Sequence, residues 1–141
     1  MKSKTVKILT GAFALMILGA FLMSFSAPQA KTSKPWDIPA KYKSMKNPHA
    51  GDKALIATGK MAWAKHCKSC HGAMGLGDGP KAKQLKSWVG DFSTKAFQAG
   101  TDGELYYKSF IGRDEMPNFE KKITDEEERW AIVNFMRTMG K

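Results

Sequence analysis

Cys67, Cys70 and His71 are the residues of this chain whose types and spacing point most directly to chemistry. They stand as Cys67-Lys68-Ser69-Cys70-His71 and use both cysteines of the chain and one of its three histidines. Two thiols three positions apart can add to the two vinyl groups of one haem, forming thioether bonds. The next residue then places an imidazole under the iron as an axial ligand. Three other chemistries compete. A zinc site wants four protein ligands, of which the motif supplies three and His66 or His49 a fourth. A thioredoxin-like dithiol needs a βαβ setting, and no alternating strand pattern is visible. A plain disulfide suits an exported chain. The C-x-x-C-H spacing matches c-type haem attachment best. His66 reads as a surface or packing residue, and His49 as solvent-exposed.

An iron held by His71 has a second axial position, for which nine methionines compete. Met1, Met16 and Met23 fall in the N-terminal apolar segment, and Met45 in a proline-rich stretch. Met61 sits on the helical pattern before the motif and reads as packing. Met74, three residues past His71, is too close to reach the opposite face of a porphyrin. Met136 and Met139 have helical spacing and read as core. Met116 remains. It lies 45 residues after His71, in a loop, followed by Pro117, which stiffens the backbone. The competing reading is a core gap filled by an adaptable side chain.

Helices must position these groups. Asp52 to His66 reads as a helix capped by Asp52, with Leu55, Ile56, Met61 and Trp63 as its spaced apolar positions. Four glycines in the eight residues from Gly72 to Gly79 force a loop. Pro80 to Trp88 is a short helix candidate. Thr101 to Ile111 opens on Thr-Asp-Gly-Glu, a capping signal. Arg113 to Lys122 reads as a polar loop around Met116. Thr124 with Glu127 fits a capping box for a final helix, and Asp125 to Glu127 suit the positive end of its dipole. Trp130, Ile132, Val133, Phe135, Met136 and Met139 form its apolar side, and Gly140 closes it. The expectation is an all-α domain of three to five helices with long loops.

Upstream, Lys2, Lys4 and Lys7 precede an uncharged apolar run of 18 residues, Ile8 to Phe25. That is the layout of an export signal, with cleavage after Ala27 or Ala30. The run also just reaches the length of a membrane span. Residues 1–30 are therefore a signal peptide or an uncleaved anchor through residues 8–25. Either reading sends residues 31–141 across a membrane, to the periplasm or the outer face of the cytoplasmic membrane. Residues 31–50 hold Pro35, Pro39 and Pro48 among lysines and read as an extended surface segment or a tether. Trp36, Ile38 and Tyr42 are apolar enough to dock on the domain, residues 51–141. The formal net charge of +10 divides into +3 for residues 1–30, +4 for 31–50 and +3 for 51–141. Two haem propionates would offset most of the domain's share. Nucleic-acid binding, which the total suggests, loses its support.

Taken together, these motifs resemble a small bacterial class I cytochrome c with one haem, over about residues 51–141. The resemblance rests on Cys67-Lys-Ser-Cys70-His71-Gly72 followed by Gly75 and Gly77-Asp78-Gly79-Pro80. It rests also on Gly112, Met116-Pro117 and Phe119, on Glu128-Arg129-Trp130, and on Val133 to Arg137. Gly59, Trp63 and Cys67 keep the family's four-residue steps. It implies that the first and last helices cross at Gly59, with Phe135 and Trp63 packed there. It implies one haem c held through Cys67 and Cys70, with His71 and Met116 as axial ligands to iron. The Pro80 carbonyl would accept a hydrogen bond from the His71 ring. Phe135 stands where the family often has Tyr, so a phenol hydrogen bond is absent. Arg113, Trp88 and Lys95 are candidates for the propionates.

The implied activity is outer-sphere electron transfer by a carrier or electron-transfer subunit, not an enzyme, in a respiratory or other exported redox chain. Trp63, Leu76, Leu85, Trp88, Phe92, Phe97, Tyr106 and Phe119 would exclude water from the haem; each is also plausible as plain core. Lys65, Lys68, Lys81, Lys83 and Lys86 either steer an acidic partner to the haem edge or form a solvated face. The partners expected are redox proteins, foremost a membrane respiratory complex. The alternatives are a peroxidase-like haem enzyme or a haem-based gas sensor, both of which need an open or labile sixth position.

Overall fold

The computed structural model describes residue 31 and residues 33–141. The expected export segment, including residues 8–25, lies outside the described residues. Within them the fold is all-α, with no strand and no helix long and apolar enough to cross a membrane. The elements are α1 (Ala40–Lys43), α2 (Lys53–His66), α3 (Lys68–His71), α4 (Lys95–Gln98), α5 (Asp102–Tyr106) and α6 (Glu126–Arg137). A 3-10 turn spans Ala82–Gln84, and a π turn, Tyr107–Ile111, continues α5. The helical pieces are thus more numerous and mostly shorter than the sequence pattern suggests.

Helices α2 and α6 form the frame. The Asp52 carboxylate accepts from the Ala54 N–H at 2.8 Å and starts α2. Asp125 caps α6 by accepting from the Glu127 N–H at 2.9 Å. The expected Thr124 capping box does not form, because an aspartate one position later takes the orphan donor. Every residue from Trp130 to Met136 is buried, so α6 is the central element. Its buried Asn134 is satisfied: Nδ2 donates to the His49 carbonyl at 2.7 Å, and Oδ1 accepts from Asn47 Nδ2 at 2.9 Å. Gly59 permits the crossing. A Cβ there would overlap the Ala131 carbonyl oxygen of α6. Helix propensity alone disfavours glycine at that position by about 1 kcal/mol. The close approach requires it. Trp63 and Phe135 meet edge to face at 6.0 Å beside the crossing, as the resemblance implies.

Thr101 and Glu104 make the expected capping box at α5. Beyond Tyr106 the helix widens into the π turn, and it ends at Gly112 with φ +70°. The expected Pro80–Trp88 helix is absent apart from the 3-10 turn. Side chains from elsewhere take its backbone groups. Lys31 Nζ donates to the carbonyls of Ala82, Lys83 and Leu85 at 3.3, 3.2 and 2.5 Å. The Glu115 carboxylate accepts from the Lys86 N–H at 3.0 Å and the Ser87 N–H at 2.8 Å.

Residues 31–50 lie against the domain rather than away from it. Ile38 and Asn47 are buried, and Tyr42 and Met45 pack against the core. Gly103 makes room for this: a Cβ on it would strike the Tyr42 carbonyl. His49 is partly buried, not solvent-exposed.

Candidate functional site

The three chemical residues occupy one helical turn at the end of α2. Cys67 closes α2, its N–H donating to the Trp63 carbonyl at 2.9 Å, and its own carbonyl accepts from Cys70 and His71 at 3.2 and 3.0 Å. Both thiols are free. Burial, and secondarily the neighbouring Cys70, pushes the Cys67 thiol up to about 12. It is therefore protonated at neutral pH.

His71 is buried between Trp63 and Phe92, with ring centroids at 5.8 and 4.9 Å. Burial lowers its pKa, against a weaker opposing contribution from the Val89 backbone. The ring is thus neutral at physiological pH, the form with a lone pair for a metal. Its Nδ1 is buried and finds no hydrogen-bond partner among the described residues. The bond to the Pro80 carbonyl that the resemblance implies is therefore not formed, and Nδ1 is the atom it would satisfy. Pro80 itself is exposed.

The glycine loop is shaped around this turn. Trp63 Nε1 donates to the Gly72 carbonyl at 2.9 Å, fixing the loop's first step to the helix frame. The Gly77 N–H reaches back to the His71 carbonyl at 2.9 Å, and the Lys81 N–H to that of Ser69 at 2.9 Å. Gly79 lies so close to Cys70 that a Cβ would stand 2.6 Å from its carbonyl carbon. Two residues here carry roles that motif spacing does not announce. Asp78 covers Gly72, whose φ is +83°, so a Cβ on Gly72 would strike the carboxylate. Phe92 stacks on Phe97 at 4.0 Å and donates its N–H to the Gly75 carbonyl at 2.8 Å.

Met116 sits in a second tight loop. Arg113 and Met116 exchange two backbone hydrogen bonds, each 2.8 Å. Asp114 inside this turn has φ +49°, and Gly112 before it leaves no space for a Cβ against the Met116 and Pro117 carbonyls. The loop is pinned below by the Phe119 N–H donating to the Phe110 carbonyl at 2.9 Å. Met116 is partly buried and packs against the core cluster.

Of the aromatic and aliphatic residues expected to surround a haem, Trp63, Phe92, Tyr106 and Phe119 are buried. Leu85 and Phe97 are partly buried. Leu76 and Trp88 are not: they are 41% and 48% exposed. Met61, expected to pack, is 69% exposed on the outer side of α2. Met136 and Met139 are core as expected. His66 is partly buried and edge-on to Phe119 at 6.1 Å. Lys65, Lys68, Lys81, Lys83 and Lys86 are all exposed. Among the described residues no group of acidic residues, histidines and cysteines could hold a metal ion, so zinc lacks its ligand set.

The residues present fit a haem c. Two free thiols share a turn with a neutral, buried imidazole that lacks a partner on Nδ1, and Met116 sits in a separate loop, partly buried against the core cluster. No curated protein matches the chain. The family model described as Cytochrome c matches residues 56–140, well over half the chain and every site residue named above. The chain belongs to the cytochrome c family.

Proposed function

We propose that, within the haem-based electron transfer of its family, this chain is a carrier or electron-transfer subunit with one haem c. Its covalent attachment is through Cys67 and Cys70, and its axial ligands are His71 and Met116. It works outside the cytoplasmic membrane, in a respiratory or related redox chain, with larger redox proteins as partners. The observation that carries the reading is the buried imidazole of His71 on the same helical turn as both thiols.

The haem, when bound, supplies a one-electron ferric/ferrous couple. The chain's own residues do the rest. Cys67 and Cys70 would hold the group on a turn rooted in α2. His71 would present a neutral nitrogen, its ring held between Trp63 and Phe92. Met116 would supply a soft thioether, which favours the reduced state and raises the potential. Trp63, Phe92, Tyr106 and Phe119 exclude water from the interior behind the site. Were His71 and Met116 both to hold the iron, small oxidants would find no place to bind, which is why a carrier is proposed over a peroxidase-like enzyme or a gas sensor.

The test is a potentiometric titration of the matured protein alongside Met116→Ala. The native protein follows a single one-electron wave. The variant shows a lowered potential, by a sizeable part of the roughly 0.8 V span that axial ligands command. Equal potentials in the two proteins would remove Met116 from the ligand set.

A further inference from the structure

The segment before α1 grips the residue that shapes the Met116 turn. Arg113 Nη1 donates to the Pro35 carbonyl at 2.6 Å, and Nη2 donates to the Lys34 carbonyl. The guanidinium lies over the Trp36 ring, 4.0 Å from its centroid. One side chain thus meets three consecutive residues more than seventy positions upstream. That geometry suits the planar, bidentate fork of arginine and not the point charge of lysine. The same Arg113 exchanges both backbone hydrogen bonds with Met116.

The surrounding contacts extend the hold. Trp36 stands edge-on to Tyr107 at 6.3 Å, and Tyr42 lies against the same ring at 4.7 Å. Tyr107 begins the π turn that feeds Gly112. Such turns recur at functional sites. Lys31 ties the start of this segment to the carbonyls of the 82–85 turn. Glu115, next to Met116, ties the loop to the backbone of Lys86 and Ser87. The loop itself has a positive φ at a non-glycine residue, Asp114. A turn in that conformation persists where its surroundings hold it.

We propose that residues 34–36 form a latch on Arg113, and that Arg113 is a positioning residue which keeps Met116 in place as an axial ligand. This rests on the reading of Met116 as the ligand. With the latch closed, the loop opens rarely and Met116 keeps its position against competing ligands. With the latch open, the turn carrying Met116 loses its outer support and local opening becomes more frequent.

The experiment uses the full chain matured with haem, and cyanide as the competing ligand of the ferric protein. Unmodified protein, Trp36→Ala, Arg113→Gln, the double variant, Trp36→Phe and Met116→Ala are compared. The readouts are the ferric thioether-to-iron absorption band, the rate of cyanide binding and the global unfolding midpoint. Trp36→Ala and Arg113→Gln should each speed cyanide binding by about tenfold, the scale of losing one cation–π contact with its hydrogen bonds. The double variant should be no faster than the quicker single variant, because both substitutions break one latch. Trp36→Phe, which keeps an aromatic face, should restore most of the slow binding. Unchanged rates in both single variants, with the thioether band present, overturn the latch alone. Faster binding that merely tracks a fallen unfolding midpoint also overturns it. Absence of the band from the unmodified protein, or cyanide binding no faster in Met116→Ala, overturns the Met116 reading and the latch with it.

Discussion

His71, the proposed ligand, shows at the scale of one residue how burial sets the state of an imidazole. Removing the imidazole from water keeps it neutral, and the packing of Trp63 and Phe92 fixes its plane. The thiols beside it lead to a first prediction. Cys67→Ser or Cys70→Ser should leave one thioether and weaker haem retention, and the double variant should release its haem in acidified acetone. Haem still covalently held in the double variant would remove both cysteines from attachment. A second prediction concerns the haem-free chain. With its pKa at about 12, Cys67 stays a thiol at neutral pH and should react slowly with iodoacetamide. Alkylation at the rate of a free exposed thiol would contradict the burial that raises it. The residues proposed for attachment are legible in sequence because their chemistry is contiguous, five residues from Cys67 to His71. Residues that depend on orientation are less so. Met61 is as apolar as its buried counterparts, yet its helix face turns it outward.

Among the elements, the crossing of α2 and α6 sets where the attachment turn begins. Gly59→Ala would place a methyl against the Ala131 carbonyl and should cost about 1–3 kcal/mol in chemical denaturation, as overpacking does. A variant as stable as the parent would show that the helices can part without loss. The tie between the Met116 loop and residues 86–87 is sensitive to acid. Backbone hydrogen bonds from Lys86 and Ser87 hold the Glu115 carboxyl below its ordinary range. Its contribution is therefore complete above the unfolded-chain value, about 4.3, and fades as pH falls through the lower folded value. Glu115→Gln should flatten that part of the stability–pH curve, and an unaltered acid limb would show the carboxylate to be idle. The caps at Asp52 and Thr101 are readable in sequence because capping is local. The 80–88 segment is not. Its backbone partners, Lys31 and Glu115, lie tens of residues away, and no propensity rule reaches that far.

Across the whole molecule, charge and chain path matter more than any one contact. The domain's share of the +10 is small, and the excess is concentrated before residue 51. A basic segment beside an apolar run suits the outer face of an anionic membrane, and mass analysis of the mature N-terminus will separate cleavage near Ala27 or Ala30 from retention of residues 8–25. The fold class and the attachment turn can be anticipated from sequence. The seating of residues 34–36 on Arg113 comes only with the packed chain, because proline spacing reports stiffness and not destination. The central claim is a carrier whose iron is closed on both sides by His71 and Met116. Carbon monoxide tests it most directly: the dithionite-reduced, matured protein is mixed with the gas and its spectrum followed. The expected result is one covalent haem per chain and a ferrous spectrum that carbon monoxide leaves unchanged on mixing, while Met116→Ala binds it at once. Rapid binding by the unmodified protein would contradict the carrier reading and point instead to an enzyme or a sensor.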